Sequence, residues 1–281
     1  MVGNCTGRNV GVIMVKLSDK HLVQVNRNSS KGNQLKWKKD DIWYKADYLG
    51  YEGLSEYMVS SLLKKTNVAD FVEYDLTRIE YNGISFCGCR SKSFLEPNEV
   101  LITLPRLFSM YLNEDIYMEC ERLDRTEEDC FKYVVNHVSG ITGITDFGKH
   151  LTLMLEMDAF FFNEDRHFHN IAVIYNEETR VFRYCPFFDC GGALFSDTRM
   201  YYPLDKSLKE CEAKIKAKPF SPSFDDQVKA ARSLYGVQFA FWFSEADVDS
   251  LLKKAEAKNM YAEGILNRVG ELVKQQINIW K

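Results

Sequence analysis

The chain has 281 residues, above the size at which one hydrophobic core grows comfortably, and this length predicts two lobes. Hydrophobic residues make up 46% and charged residues 27%, which is typical of a globular protein and excludes a disordered or collagen-like chain. The 36 basic and 40 acidic residues leave a formal net charge of -4, which argues against a main role in coating nucleic acid or anionic membranes. We therefore expect no direct nucleic-acid binding.

The apolar run and the first residues of the chain predict neither a membrane span nor a signal peptide. Residues 151–162 contain Glu156 and Asp158, and the run is shorter than the roughly 20 residues needed to span a membrane. The first residues lack the basic and apolar regions of a signal peptide, so a cytoplasmic location is predicted, with a secreted effector as the alternative. The eight cysteines form no C-x-x-C pair, which favours reduced thiols. A zinc site at Cys87 and Cys89 is an open alternative, although their spacing is unusually short.

The first hundred residues predict mainly strands. Three apolar-rich segments indicate a small antiparallel sheet: residues 10–17, 22–25 and 43–48. Residues 26–34 lie between the last two segments and are polar and rich in turn formers. Apolar side chains at helical spacing predict one helix over residues 53–65. Strand-like alternation returns over residues 71–104, with Asn82-Gly83 as a hairpin turn.

After Pro105 the pattern becomes mainly helical. Helices are predicted over residues 130–138, 147–162, 225–235, 245–257 and 261–280, and a short hairpin over residues 171–175 and 180–184. The sequence therefore predicts a two-lobed α+β protein. Its strand-rich N-lobe with one helix spans residues 1–106, and its mainly helical C-lobe spans residues 107–281. A cleft between such lobes is a common ligand site.

The segment with the most chemistry is residues 163–170, a polar loop between an apolar helix and an apolar strand. Kinases place an Asp that orients the attacking hydroxyl and an Asn that helps to hold Mg²⁺ at Asp-x-x-x-x-Asn spacing. Asp165 and Asn170 have this spacing. Asp158 and Asn163 have it too, but Asp158 lies within the apolar helical run, so the context favours the first pair.

Three further residues extend this pattern. Asp189 follows the 171–184 hairpin, which returns it beside Asn170, and the two would supply oxygen ligands to Mg²⁺ from a metal-binding segment over residues 187–192. Lys45 lies in a predicted strand and Glu56 in the following helix. A strand lysine held by a helix glutamate is the ion pair that kinases use to bind nucleotide phosphates.

Together these segments resemble the HipA-like kinases. The resemblance rests on Ser29-Ser30-Lys31-Gly32-Asn33-Gln34, Lys45, Ser55-Glu56-Tyr57, Asp165-Arg166-His167-Phe168-His169-Asn170 and Phe187-Phe188-Asp189-x-Gly191, in that order. The catalytic loop of that family reads Asp-x-His-x-x-Asn, and its metal-binding Asp follows about twenty residues later. The resemblance covers most of residues 26–275.

The resemblance implies a protein-kinase-like fold and an ATP- and Mg²⁺-dependent Ser/Thr protein kinase of the toxin or effector type. Asp165 would orient the substrate hydroxyl, with Lys45 and Glu56 completing the catalytic set. ATP-binding residues would be Ser29, Ser30, Lys31, Gly32, Asn33, Lys45, His167, Asn170 and Asp189, of which Asn170 and Asp189 would hold the metal. Autophosphorylation of Ser29 or Ser30 is a further expectation.

The sequence departs from the family pattern in two places, the N-terminal subdomain and the phosphate-covering loop. Full-length family toxins carry an additional N-terminal subdomain for which this chain has little room, so it is expected to be a short form. An unidentified Ser/Thr protein substrate is expected, with an antitoxin or other regulatory partner as a further expectation. The phosphate-covering loop also reads Lys-Gly-Asn-Gln, where many relatives have a more apolar Gly-Ala-Gln.

Three alternatives stay open from the residues alone. His167 and His169 form an H-x-H pair of the kind that binds metal in some hydrolases. A small-molecule phosphotransferase shares the Asp-x-x-x-x-Asn pair and the later Asp. A nucleotide-binding pseudokinase would act as a scaffold and would bind ATP without turning it over.

Overall fold

A computed structural model describes residues 14–23, 34–122 and 126–281 of the chain. Within these residues, no helix is both long and apolar enough to cross a membrane. The strands are β1 (Met14–Leu17), β2 (Lys36–Lys39), β3 (Ile42–Ala46), β4 (Asp75–Tyr81), β5 (Ile84–Lys92), β6 (Glu99–Thr103), β7 (Ala172–Asn176) and β8 (Val181–Tyr184).

The N-lobe is built on a five-stranded sheet with the strand order β1-β4-β5-β3-β2. The hairpin turn at Asn82-Gly83 is confirmed: both residues have positive φ, 50° and 75°, as a two-residue type I′ turn requires. The prediction of an antiparallel sheet is wrong at one edge, because β1 pairs with β4 in parallel. Such a parallel pair is formed by strands distant in sequence, so no local turn signal indicates it.

Strand β2 is the strand of the N-lobe sheet that the sequence analysis did not predict. Its sequence, Lys36-Trp37-Lys38-Lys39, is too polar to be recognised as a strand, yet it pairs with β3. Trp37 is fully buried and packs against Tyr81 with ring centroids 5.2 Å apart. The pairing places Lys36 directly opposite Lys45.

One helix, α1 (Glu52–Leu63), packs on this sheet, close to the predicted 53–65. It is buried on nearly all sides, because the sheet covers one face and the C-lobe covers another. Gly53 allows the helix to approach β5 closely: a Cβ there would lie 2.6 Å from the backbone carbon of Gly88. This contact fixes the height of α1 above β5, which pairs with β3, the strand that carries Lys45.

A second, three-stranded sheet has the order β6-β7-β8 and joins the end of the first hundred residues to the C-lobe hairpin. The C-lobe helices are α2 (Leu104–Leu112), α3 (Ile116–Cys120), α4 (Glu127–Thr142), α5 (Phe147–Phe161), α6 (Leu208–Glu212), α7 (Phe224–Tyr235), α8 (Glu245–Leu252), α9 (Ala255–Met260) and α10 (Glu263–Trp280). Helices α2, α3 and α6 were not predicted, and the predicted helix 245–257 divides into α8 and α9.

The apolar helix α5 is the centre of the C-lobe. Leu151, Leu155 and Phe160 are completely buried in the largest hydrophobic cluster, which extends from α1 to α10. Phe160 alone contacts the rings of Phe161, Phe239, Phe241, Phe243 and Trp280. Because α5 is held on all sides, the polar loop that follows it starts from a rigid support.

The prediction that the cysteines are reduced is wrong for Cys120 and Cys130 and also for Cys87, which is disulfide-bonded as well. Cys120 at the end of α3 and Cys130 in α4 form a disulfide with a Cα–Cα distance of 5.3 Å. Their sequence separation of 10 carried no signal, since the two helices meet only in the folded chain. Four other cysteines are free and buried, namely Cys89, Cys185, Cys190 and Cys211.

Candidate active site

A buried ion cluster joins the two lobes at the candidate site. Lys45 on β3 donates to Glu56 Oε1 on α1 at 2.6 Å and to Asp189 Oδ1 at 2.8 Å. The Lys45 and Glu56 side chains are 11% and 2% exposed, so both charges are largely removed from water. The structure thus brings together the strand lysine, the helix glutamate and the acid that follows the hairpin.

The charges in this cluster hold one another ionised. Burial alone would lower the pKa of Lys45, but the carboxylates of Asp189 and Glu56 outweigh it and raise this pKa well above its usual value. Burial would raise the pKa of Asp189, but the ammonium groups of Lys36 and Lys45 hold it well below its usual range. Asp189 is therefore a carboxylate, the form that binds a metal ion, throughout the neutral pH range.

Lys36 is a site residue that the sequence analysis missed. Its Nζ lies 3.9 Å from Asp189 Oδ2, and its place opposite Lys45 on β2 puts both ammonium groups on the same face of the sheet. Like charges directly opposite in a sheet are destabilising unless a counter-charge lies between them. Asp189 is that counter-charge. Recognising β2 as a strand in the sequence would have placed Lys36 opposite Lys45 and so identified it as a site residue.

The segment around Asp189 is held in an unusual conformation. Asp189 has φ 59°, in the left-handed region that a non-glycine residue seldom adopts and that clusters at functional sites. The next residue, Cys190, donates its backbone N–H to Glu56 Oε2 at 2.9 Å. Glu56 therefore holds both Lys45 and the backbone beside Asp189.

The polar loop after α5 places Asp165 and Asn170 at its two ends. Asn170 Nδ2 donates to the backbone oxygen of Asp165 at 2.8 Å, which fixes the side-chain amide within the loop. Gly192 lets the segment after Asp189 pass beside this loop, since a Cβ there would lie 2.8 Å from Asp165 Cβ. The structure thus brings the loop and the segment of Asp189 into contact, as the sequence predicted.

Asp158 and Asn163, the competing pair, belong to the internal support of the loop. Asp158 is fully buried and binds Arg166 through Nε–Oδ2 at 2.8 Å and Nη2–Oδ1 at 3.1 Å. Asn163 Nδ2 donates to Asp158 Oδ1 at 2.7 Å. These contacts occupy the carboxylate inside the protein, away from any ligand.

Arg166 connects this support to both ends of the site. Its Nη1 donates to the backbone oxygen of Asn170 at 3.0 Å and to that of Phe188 at 2.8 Å. The guanidinium has no exposed surface. Although Arg166 stands within the recognised motif, the sequence analysis gave it no function; the structure makes it the residue that positions Asn170 and the segment of Asp189.

The two histidines of the loop have no further His, Cys, Asp or Glu arranged with them as metal ligands among the described residues. His167 Nε2 lies 3.9 Å from Asp165 Oδ1, and burial lowers the pKa of His167 below its usual value. Among the described residues, His167 Nδ1 is buried and has no hydrogen-bond partner. No group of three or more His, Cys, Asp or Glu in the described part of the chain is arranged to hold a metal ion. Within the described residues, neither the His167–His169 pair nor the Cys87–Cys89 pair therefore has the additional ligands that a metal site needs.

Lys218 is a second site residue that the sequence analysis missed. Its Nζ lies 3.4 Å from Asp165 Oδ1, although the two residues are 53 positions apart. No motif predicts this contact, because it depends on how the segment before α7 folds back over the loop.

The predicted phosphate-covering residues Ser29, Ser30, Lys31, Gly32 and Asn33 lie outside the described residues.

One histidine near the site predicts a pH dependence of stability. His150 on α5 packs against Tyr184 and Phe187, with ring centroids 4.5 and 4.7 Å away, and burial lowers its pKa to about 4. Because the unfolded chain binds this proton near pH 6.5, the folded state loses stability as the pH falls from 6.5 to 4, by up to about 3 kcal/mol.

We expect His150→Phe to remove this part of the acid sensitivity. Urea unfolding at pH 7.0 and 5.0 would measure it, with His137→Phe as a matched control, since His137 Nδ1 has a backbone hydrogen bond and lies in α4. An equal loss of stability on acidification in wild type and His150→Phe would contradict the assignment.

Comparison with known proteins supports the fold. No protein-family model matches the chain, and no curated protein matches it significantly. Among solved structures, it is similar to the crystal structure of a Helicobacter pylori proinflammatory kinase, CtkA, with a TM-score of 0.60 and 14% sequence identity. The match covers 94% of this chain and 95% of that one. The chain therefore has a mixed α+β, kinase-like two-lobed fold.

Proposed function

We propose that the chain is an ATP-dependent kinase of the HipA-like type, which transfers the γ-phosphoryl group of ATP to a Ser or Thr hydroxyl of a protein. The observation that carries the proposal is Lys45 Nζ held at 2.6 Å from Glu56 and at 2.8 Å from Asp189. A strand lysine, a helix glutamate and a metal-binding acid meet in this way in kinases. The similar fold of a protein described as a kinase adds support.

Each residue has a part in the proposed transfer. Lys45 binds the phosphates and neutralises charge as the bond to the leaving ADP breaks, while Glu56 keeps its ammonium group in place. Asp165 accepts a hydrogen bond from the substrate hydroxyl and orients its oxygen for in-line attack on the γ-phosphorus. The hydroxyl proton passes to Asp165 as the new P–O bond forms.

The chemistry of the donors fits Mg²⁺. Asn170 and Asp189 would hold it, since an amide oxygen and a carboxylate are the hard oxygen ligands that this ion prefers. Asn170 uses its amide nitrogen within the loop, which leaves its oxygen as the ligand atom. When bound, the ion would neutralise charge on the phosphates. The two lysines beside Asp189 would then contact phosphate oxygens as well.

Intact-mass spectrometry tests the proposal without a known substrate. Purified protein is incubated with Mg²⁺ and ATP beside an Asp165→Ala control, and each added phosphate is mapped. We expect added mass of one or more phosphates in the wild type and none in the control. ATP binding without added mass, and without phosphorylation of generic protein substrates, would favour the pseudokinase; transfer to small molecules alone would favour a small-molecule phosphotransferase.

The same spectra test autophosphorylation of the loop over residues 29–33. Family resemblance places the self-target at Ser29 or Ser30, and a double Ser29→Ala/Ser30→Ala variant is the matched control. We expect the added phosphate to map to Ser29 or Ser30 in the wild type and to disappear in the double variant. Phosphate mapped entirely to other residues would exclude these serines as the self-target and leave the kinase proposal intact.

A further inference from the structure

A pocket beside Asp165 lies outside the cluster of Lys45, Glu56 and Asp189. Its cavity volume is about 420 Å³, and its wall includes Glu164, which directly precedes Asp165, and Lys218, whose Nζ contacts Asp165. Lys214 and Lys216 complete this wall, and we call the cavity the lysine pocket. A chain bound here would lie next to the residue proposed to orient the substrate hydroxyl.

The lysines face the pocket because of the residues between them. Ile215 and Ala217 alternate with the lysines and pack into a small apolar cluster with Phe224 and Val228. The alternation turns every second side chain outward, so Lys214 and Lys216 are exposed. Neither of these two lysines forms an ion pair within the described residues, which makes their ammonium groups available to an incoming anion.

The acids of the pocket are engaged with the protein. Glu164 accepts a hydrogen bond from the Tyr202 hydroxyl at 2.5 Å. Asp197 is 1% exposed: its Oδ1 accepts a hydrogen bond from the backbone N–H of Met200 at 2.9 Å, and its Oδ2 is buried without a hydrogen-bond partner among the described residues. The most exposed charges of the lining are therefore those of Lys214 and Lys216, whereas Glu164 is part-buried and Asp197 is buried. This arrangement complements an acidic ligand that enters from solvent.

The opposite wall of the pocket is held firmly. Arg268 from α10 is buried and donates to the backbone oxygens of Tyr202 at 2.6 Å and Pro203 at 2.7 Å. This clamp fixes the segment that carries Tyr201 and Tyr202 along the pocket. A cavity of 420 Å³ is about 9 Å across if compact, the length of about three extended residues.

We propose that the lysine pocket docks an acidic protein segment, with Asp or Glu within about three residues of the phosphorylated Ser or Thr. This inference rests on the proposed kinase function and deepens it by naming a substrate class. Lys214 and Lys216 pair with the acidic side chains, while the neighbouring hydroxyl reaches Asp165. An acidic protein is favoured over nucleic acid because the proposed transfer requires the occupant to present a Ser or Thr hydroxyl at Asp165.

Docking is tested separately from catalysis by fluorescence anisotropy at 50 mM NaCl. The probe is a labelled peptide with Ala in place of the acceptor Ser and three Glu on each side, compared with a peptide in which Gln replaces every Glu. We expect the full-length protein to bind the Glu peptide at least tenfold more tightly, with the difference shrinking at 300 mM NaCl because salt screens exposed charges. Equal affinity for the two peptides would overturn the proposal.

Charge reversal locates the binding. Lys214→Glu/Lys216→Glu is expected to lose at least tenfold in affinity for the Glu peptide. The matched control Lys229→Glu/Lys253→Glu reverses two exposed lysines in α7 and after α8 and should bind like wild type. A milder pair, Lys214→Gln/Lys216→Gln, covers any failure of the first variant to fold. Unchanged binding by both pocket variants, or equal displacement by a charge-matched oligothymidylate, would overturn the assignment to an acidic protein.

The phosphorylation arm uses the same peptide with Ser restored. For Lys214→Glu/Lys216→Glu we expect KM to rise at least tenfold while kcat changes less than twofold, since these lysines bind the flanking acids and do not touch the reacting atoms. A fall in kcat with unchanged KM would overturn the docking assignment. Wild-type binding without any phosphate transfer, including none in the intact-mass experiment, would refute the kinase function while the docking site stands.

Discussion

Replacing Lys45 with Met is expected to lower phosphate transfer by about 10²–10³-fold, the loss typical when one charged group that stabilises the transition state is removed. Lys45 contacts both Glu56 and Asp189, at 2.6 and 2.8 Å. Its removal takes away the proposed phosphate contact and leaves two carboxylates facing each other. Initial rates of phosphate incorporation from labelled ATP would measure the effect.

The same variant has a second readout that does not depend on activity. Glu56 is 2% exposed and would keep a buried negative charge without Lys45, at a cost of about 3–5 kcal/mol in the free energy of unfolding. Burial already raises the pKa of Glu56, and without Lys45 it rises further. Because the folded state would then bind the proton more tightly than the unfolded state, the deficit should shrink as the pH falls from 7 to 5.

Lys36→Met is the matched control for this prediction. Lys36 Nζ lies 3.9 Å from Asp189, and its side chain is 26% exposed, so its removal should cost less than 1 kcal/mol and less than tenfold in rate. A Lys45→Met protein that keeps its transfer rate within threefold of wild type, or a Lys36→Met protein with the larger loss, would contradict the roles assigned to the two lysines.

The residues that the sequence predicted correctly as neighbours are those with local signals. Asp165 and Asn170 are five residues apart on one loop, and the hairpin after them has clear strand and turn patterns that return the chain to Asp189. Lys45 and Glu56 stand on a strand and a helix whose apolar periodicity is plain. Each of these signals depends on a few adjacent residues, so one sequence is enough to detect it.

The contacts that were missed depend on the packing of distant segments. Lys36 lies on a strand with one inward apolar residue, and Lys218 reaches Asp165 from 53 residues away. The disulfide between Cys120 and Cys130 joins two helices of which the first was not predicted. No periodicity encodes these contacts. Lys214 and Lys216 likewise gain significance only when the fold places them near the loop of Asp165.

Arg166 and Asp158 show most clearly how packing gives a motif its meaning. We expect Arg166→Met to lower the free energy of unfolding by about 3–5 kcal/mol, because Asp158 would remain as a fully buried, unpaired carboxylate. Asp158→Leu alone should cost a similar amount, since it leaves the buried guanidinium without its counter-charge. Urea unfolding monitored by circular dichroism would measure both losses.

The double variant Arg166→Met/Asp158→Leu separates stability from function. Replacing a buried ion pair with apolar side chains is often neutral, so the double variant should recover much of the stability lost by either single variant. The backbone oxygens of Asn170 and Phe188 would still lack the donor that Arg166 supplies, at 3.0 and 2.8 Å. Phosphate transfer should therefore stay at least tenfold below wild type although the protein is folded. A double variant that recovers both stability and full activity would show that Arg166 serves only to neutralise Asp158 and does not position Asn170 and the segment of Asp189.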